Sequence, residues 1–159
     1  PRVDLEPILH CGGQERGLRS GTLPVPLVVG FGEAVARLDR ARVPEVARLR
    51  DGLLERLKTV GDVHLNGSRE HRVAGNLNVR IGGVDVRALM LAVRDVAMSS
   101  GSACTSESLT PSHVLRAMGL TPDEAATSVR LGLGLHTTEE AVDHAAEALI
   151  AGITTVRGL

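Results

Sequence analysis

Ser128-Val129-Arg130-Leu131-Gly132-Leu133-Gly134-Leu135-His136 is the stretch on which the fold turns. Val129, Leu131, Leu133 and Leu135 alternate with Arg130, Gly132, Gly134 and His136. A period of two predicts a strand with branched aliphatics on one face. The other face carries an arginine among glycines. Helix signals stand on both sides. Thr121-Pro122-Asp123-Glu124 reads as a capping box opening a short helix. Thr137 with Glu140 reads as a second capping box, opening a helix to about Val156. Its apolar stripe is Val142, Ala145, Leu149, Ile153 and Val156. Further upstream, Thr110-Pro111 reads as the N-cap and first position of a helix that Gly119 ends after Met118.

Towards the N-terminus the two periods keep alternating. Val96 to Met98 is a short apolar run, read as a strand. Asp85 is placed to cap a helix to about Arg94 that buries Val86, Leu89, Met90 and Val93. Leu77, Val79 and Ile81 alternate with Asn76, Asn78 and Arg80, a strand with one buried face. Val63-His64-Leu65 precedes an Asn66-Gly67 turn. A helix is expected over about Glu45 to Thr59, with Val46, Leu49, Leu53 and Leu57 inward. Another is expected over about Val28 to Arg42, with Pro44 separating the two. Strands mixed with helices, without long crossover units, predict an α+β layer: a mainly antiparallel sheet covered by helices.

Composition narrows the function. The chain has 159 residues and a formal net charge of −1. That charge argues against a nucleic-acid surface. Trp and Tyr are absent and Phe31 is the one aromatic, so stacking platforms for bases are lacking. No apolar run approaches the roughly 20 residues of a membrane span. The two cysteines, Cys11 and Cys104, are too few for a disulfide scaffold and suit a cytoplasmic protein. Cysteine and histidine spacings predict no metal site.

Two loops stand out. Ser99-Ser100-Gly101-Ser102-Ala103-Cys104-Thr105-Ser106 places a thiol among small residues. Such a backbone is adaptable, and a cysteine there suggests chemistry rather than packing. Cys11-Gly12-Gly13-Gln14-Glu15-Arg16-Gly17-Leu18-Arg19-Ser20-Gly21-Thr22 combines glycines, arginines and hydroxyls, the makings of an anion cradle. It is not a Walker A loop, because Leu18-Arg19 stands where Lys-Ser/Thr is required.

Ser99–Ser106, Pro111-Ser112-His113-Val114-Leu115-Arg116-Ala117-Met118-Gly119 and Ser128–Gly134, in that order, resemble the C-terminal part of a cysteine desulfurase. That family belongs to the class V aminotransferase superfamily and depends on pyridoxal phosphate. The loop form resembles the group serving iron–sulfur cluster assembly and tRNA thiolation, with relatives in DNA phosphorothioation. The resemblance implies the small C-terminal domain of a fold-type I enzyme. It divides the chain into 1–43, the end of a large cofactor-binding domain with its linking helix, and 44–159, the small domain.

The resemblance also implies roles. Cys104 would be the catalytic thiolate that takes sulfur from L-cysteine, giving L-alanine and a persulfide for an acceptor protein. A nucleophile that must visit both cofactor and acceptor needs a loop rather than a helix. Arg130 would hold the substrate α-carboxylate, a task suited to a guanidinium fork. Thr22, in an Arg-Ser-Gly-Thr element, would reach the cofactor phosphate of the neighbouring subunit in a homodimer. Cys11 stands where relatives commonly carry glycine. The one lysine, Lys58, lies on the charged face of its helix and does not match the family's Ser-Gly-His-Lys element. That element should lie upstream of Pro1, so this chain alone should be inactive. The rival readings are a non-catalytic sulfur-carrier or partner-docking module, and a selenocysteine lyase or another class V aminotransferase.

Overall fold

The structure, a computed structural model, describes residues 4–100 and 112–158. The chain divides into two compact units, Pro1–Asp39 and Arg40–Leu159.

In the first unit a glycine-rich turn leads to helix α1, Val25–Ala36. Pro26 sits in its first turn, where a missing N–H costs nothing. The helix therefore starts and stops earlier than the expected Val28 to Arg42. No residue of α1 is buried.

The second unit begins with a short 3-10 turn, Arg40–Arg42, and helix α2, Val43–Leu57, with Pro44 in its first turn. Strands β1, Val63–Leu65, and β2, Asn76–Ile81, follow. Helix α3, Val86–Ala92, is capped by Asp85, whose carboxylate accepts from the Ala88 amide at 2.9 Å. Next come β3, Ser99–Ser100, and the short helices α4, His113–Ala117, and α5, Pro122–Ala126. Strand β4, Ser128–Gly132, and helix α6, Glu139–Arg157, complete the unit.

The four strands form one antiparallel sheet in the order β1-β2-β4-β3. One face carries Val63, Leu77, Val79, Ile81, Val129 and Leu131 into the core. Helices α2, α3 and α6 supply the other half, through Leu49, Leu53, Leu57, Leu89, Leu149 and Ile153 among others. This is the α+β layer that the two hydrophobic periods imply. Two glycines set its tightest contacts. A Cβ on Gly152 would strike Val93 and Leu89, so α6 meets the end of α3 only because that side chain is missing. A Cβ on Gly75 would strike the Leu133 carbonyl, and the Leu133 amide bonds to the Gly75 carbonyl at 2.8 Å. Overpacking at such points typically costs about 1–3 kcal/mol.

Several local expectations shift. The strand expected at Val96–Met98 is displaced to Ser99–Ser100; Val96 and Met98 pack against the core without ladder pairing. The strand expected to run to His136 ends at Gly132, and Thr137 Oγ1 accepts from the Gly134 amide at 2.9 Å, turning the chain. Thr138 rather than Thr137 then caps α6, accepting from the Ala141 amide at 3.1 Å. Helix α4 is capped by Ser112; Thr110 and Pro111 lie outside the described residues. Met90 is 37% exposed rather than buried. The Thr121–Glu124 capping box is present as the sequence predicts, with both reciprocal bonds formed.

Candidate functional site

The sheet's second face is polar, and pairing fixes its rows. Asn78 on β2 and Ser99 on β3 are the register partners of Arg130 on β4. Paired residues share a face, so Asn78, Arg130 and Ser99 form one row. A second row holds His64, Arg80 and Ser128, and a third Asn76 and Gly132.

A buried hydrogen-bond network supports these rows. Asn66, just after β1, is only 3% exposed. Its Nδ2 donates to Asn78 Oδ1 at 2.7 Å and to Ser128 Oγ at 3.0 Å. Arg80 donates to Asn66 Oδ1 at 3.2 Å, and Ser128 Oγ donates to the Glu124 carbonyl at 2.8 Å. A buried amide is stable only when such partners are present. Arg72 closes the surrounding segment by donating to the carbonyls of Asn66 and Asn76 at 2.7 and 3.2 Å. Burial, with Arg50 nearby, lowers its pKa from the ordinary arginine value. Glu124 lies at the rim. The Thr121 amide and then its hydroxyl hold the Glu124 carboxyl below the usual carboxylate range, with smaller help from Arg80 and His64.

Arg130 stands apart from this web. Its residue is exposed, and among the described residues no carboxylate pairs with it. Among the described residues the arginine therefore offers an unpaired cation beside a network that is closed largely by its own hydrogen bonds.

The glycine-rich turn belongs to the first unit. Gly12, Gly13, Gly17 and Gly21 have φ of 61°, 69°, 77° and 98°. Cys11, at φ 133°, occupies backbone territory that favours glycine, the residue its resemblance implies there. Gln14 Oε1 accepts from the Gly21 amide at 2.9 Å, and one Arg19 nitrogen donates to the carbonyls of Ser20, Gly21 and Thr22 at 3.1, 3.0 and 3.4 Å. That nitrogen of Arg19 braces the turn instead of facing a ligand. Thr22 is exposed, and no described residue takes its hydroxyl. Cys104 lies outside the described residues, four positions beyond Ser100 in sequence. Lys58, just after α2, donates to Glu55 at 3.0 Å. Among the described residues no cluster of His, Cys, Asp or Glu suits a metal ion.

Sequence reasoning placed Asn78 on the polar face of its strand but missed the network. A signal existed: asparagine is disfavoured in strands, and β2 carries it twice, at Asn76 and Asn78.

Both the sequence and the fold have counterparts among known proteins. Residues 2–144 match the Aminotransferase class-V family, and the chain belongs to it. It is 49% identical over 162 residues to the cysteine desulfurase IscS of Haemophilus influenzae (strain PittEE), covering 100% of this chain and 40% of that relative. A solved NifS-like protein superposes with a TM-score of 0.79 at 28% identity, over 96% of this chain and 40% of that one. SspA, solved in complex with cysteine, gives a TM-score of 0.62 at 33% identity over 84% of this chain and 37% of SspA. The chain thus spans about 40% of the length of the curated relatives it matches.

Proposed function

We propose that this chain is the C-terminal part of a cytoplasmic, homodimeric cysteine desulfurase. In this reading residues 1–43 end a cofactor-binding domain, and 44–159 form the small domain that carries Cys104. The observation that carries it is Arg130: a cation unpaired among the described residues, in one row with Ser99, five residues before Cys104 in sequence. An amino acid whose carboxylate is held by Arg130 is thereby offered to the segment bearing the thiol. SspA's complex with cysteine supports this substrate.

The Cys104 thiolate bonds to the substrate sulfur while the substrate's carbon–sulfur bond breaks. The electron pair of that bond stays with the carbon skeleton, which takes up a proton and leaves as L-alanine. The sulfur remains on Cys104 as a persulfide and passes to an acceptor protein. Pyridoxal phosphate supplies the electron sink that makes the bond cleavable when it is bound. The exposed Thr22 hydroxyl, on a turn stiffened by Gln14 and Arg19, fits a contact to the cofactor phosphate. Lys58, paired with Glu55, does not fit a covalent link to it. In this reading the attachment lysine lies outside this chain.

The test compares the full-length enzyme with two variants and with the 159-residue chain alone. Cys104→Ser abolishes persulfide formation with an unchanged melting temperature. Arg130→Ala raises the KM for L-cysteine about tenfold or more, as expected for a lost charge-assisted contact. The isolated chain shows no turnover. Persulfide formed by Cys104→Ser, or an unmoved KM in Arg130→Ala, refutes the assignment.

A further inference from the structure

The network beneath Arg130 has only one consistent polarity. A guanidinium only donates, so Arg80 forces Asn66 to present its oxygen. At the other end the Glu124 carbonyl only accepts, so Ser128 points its proton there and receives from Asn66. Asn66 Nδ2 must then face Asn78, and Asn78 must present its oxygen in return. The amide orientation is thus set by its neighbours rather than assumed. What remains of Asn78 is its NH2 group, two donors without a partner among the described residues. They lie on the face, and in the row, of Arg130.

We infer that Asn78 is a second binding residue for the substrate, donating from Nδ2 to the carboxylate that Arg130 holds. The inference rests on the reading of Arg130 above. Both groups are donors, so their shared surface suits an anion. One is charged and one neutral, so it matches a single negative charge, the carboxylate of a monocarboxylic amino acid. The neutral amide adds a directed hydrogen bond without a second cation, which would need a second anion to balance it. The buried Asn66, itself held on three sides, fixes the Asn78 side chain before substrate arrives, and such preorganisation lowers the entropic cost of binding.

The experiment uses the full-length enzyme and three variants, Asn78→Asp, Asn78→Ala and Arg130→Ala. Aspartate keeps an oxygen for Asn66 but places a negative charge where the carboxylate must sit. Asn78→Asp is expected to raise the KM for L-cysteine by tenfold or more with little change in kcat or melting temperature. Asn78→Ala should raise it by about tenfold, the worth of one hydrogen bond to a charged group. The control is competitive inhibition by cysteamine, which is cysteine without its carboxylate. Its inhibition constant should not weaken in Asn78→Asp. Equal weakening of cysteine and cysteamine would make Asn78 structural and overturn the inference. A raised KM in Arg130→Ala with an unmoved KM in both Asn78 variants overturns the role of Asn78 alone. An unmoved KM in Arg130→Ala removes the parent reading, and this inference with it.

Discussion

Helices α1 and α6 are both rich in aliphatic residues, yet they end in opposite situations. Helix α6 buries Val142, Ala146, Leu149, Gly152 and Ile153, packing against α2 and α3. Helix α1 leaves Leu27, Val28, Val29, Phe31 and Val35 exposed. The difference extends to their units: every buried hydrophobic residue described lies between Val46 and Ile153. Hydrophobic content alone therefore does not make a core. An apolar helix becomes stabilising only where a second apolar surface meets it. The second unit supplies its own partner surfaces, whereas α1 presents an apolar face of the kind that marks an interaction surface.

The largest test of this contrast is separation. Residues 40–159 alone should unfold cooperatively by circular dichroism, while a 1–39 peptide should show no cooperative transition. A broad, non-cooperative melt of 40–159 would show that the core depends on the first unit. A finer test compares like substitutions. Leu54→Ala, at 2% exposure, should cost about 2–5 kcal/mol in denaturant titration, whereas Leu27→Ala, at 72%, should stay within about 0.5 kcal/mol. Comparable losses at both sites would erase the distinction.

The smallest expected effect lies at the sheet's rim. Glu124 is ionised at a lower pH in the folded protein than in the unfolded chain, chiefly because of Thr121. Its stabilisation is present above the ordinary carboxylate value of about 4.3 and fades as pH falls through the lower folded value. Glu124→Gln should therefore lower the melting temperature near neutrality and converge with the parent protein at acid pH. A difference that persists undiminished below that range would assign the effect to something other than the charge.

What was legible in the sequence follows from how local each interaction is. The Asp85 cap and the Thr121–Glu124 box join residues three apart and could be read directly. Adjacent Thr137 and Thr138 were not separable that way, because the bond from Gly134 decides which of them caps α6. Apolar residues at 96–98 announced burial, but ladder pairing is a property of β4, across the sheet, and fell on Ser99 and Ser100. Arg130 was legible as a charge on a strand's polar side. Its setting was not, since Asn66 and Ser128 meet from 62 positions apart. Cys104 drew notice as a thiol among small residues, and it lies outside the described residues.

The strand order β1-β2-β4-β3 puts the two longest strands in the middle and leaves three- and two-residue strands at the rims. Few free backbone groups are then available for an incoming chain to extend the sheet. Among the described residues a nascent or partly unfolded copy finds little template along these borders. Self-association of this unit should accordingly proceed through side-chain surfaces rather than through added strands.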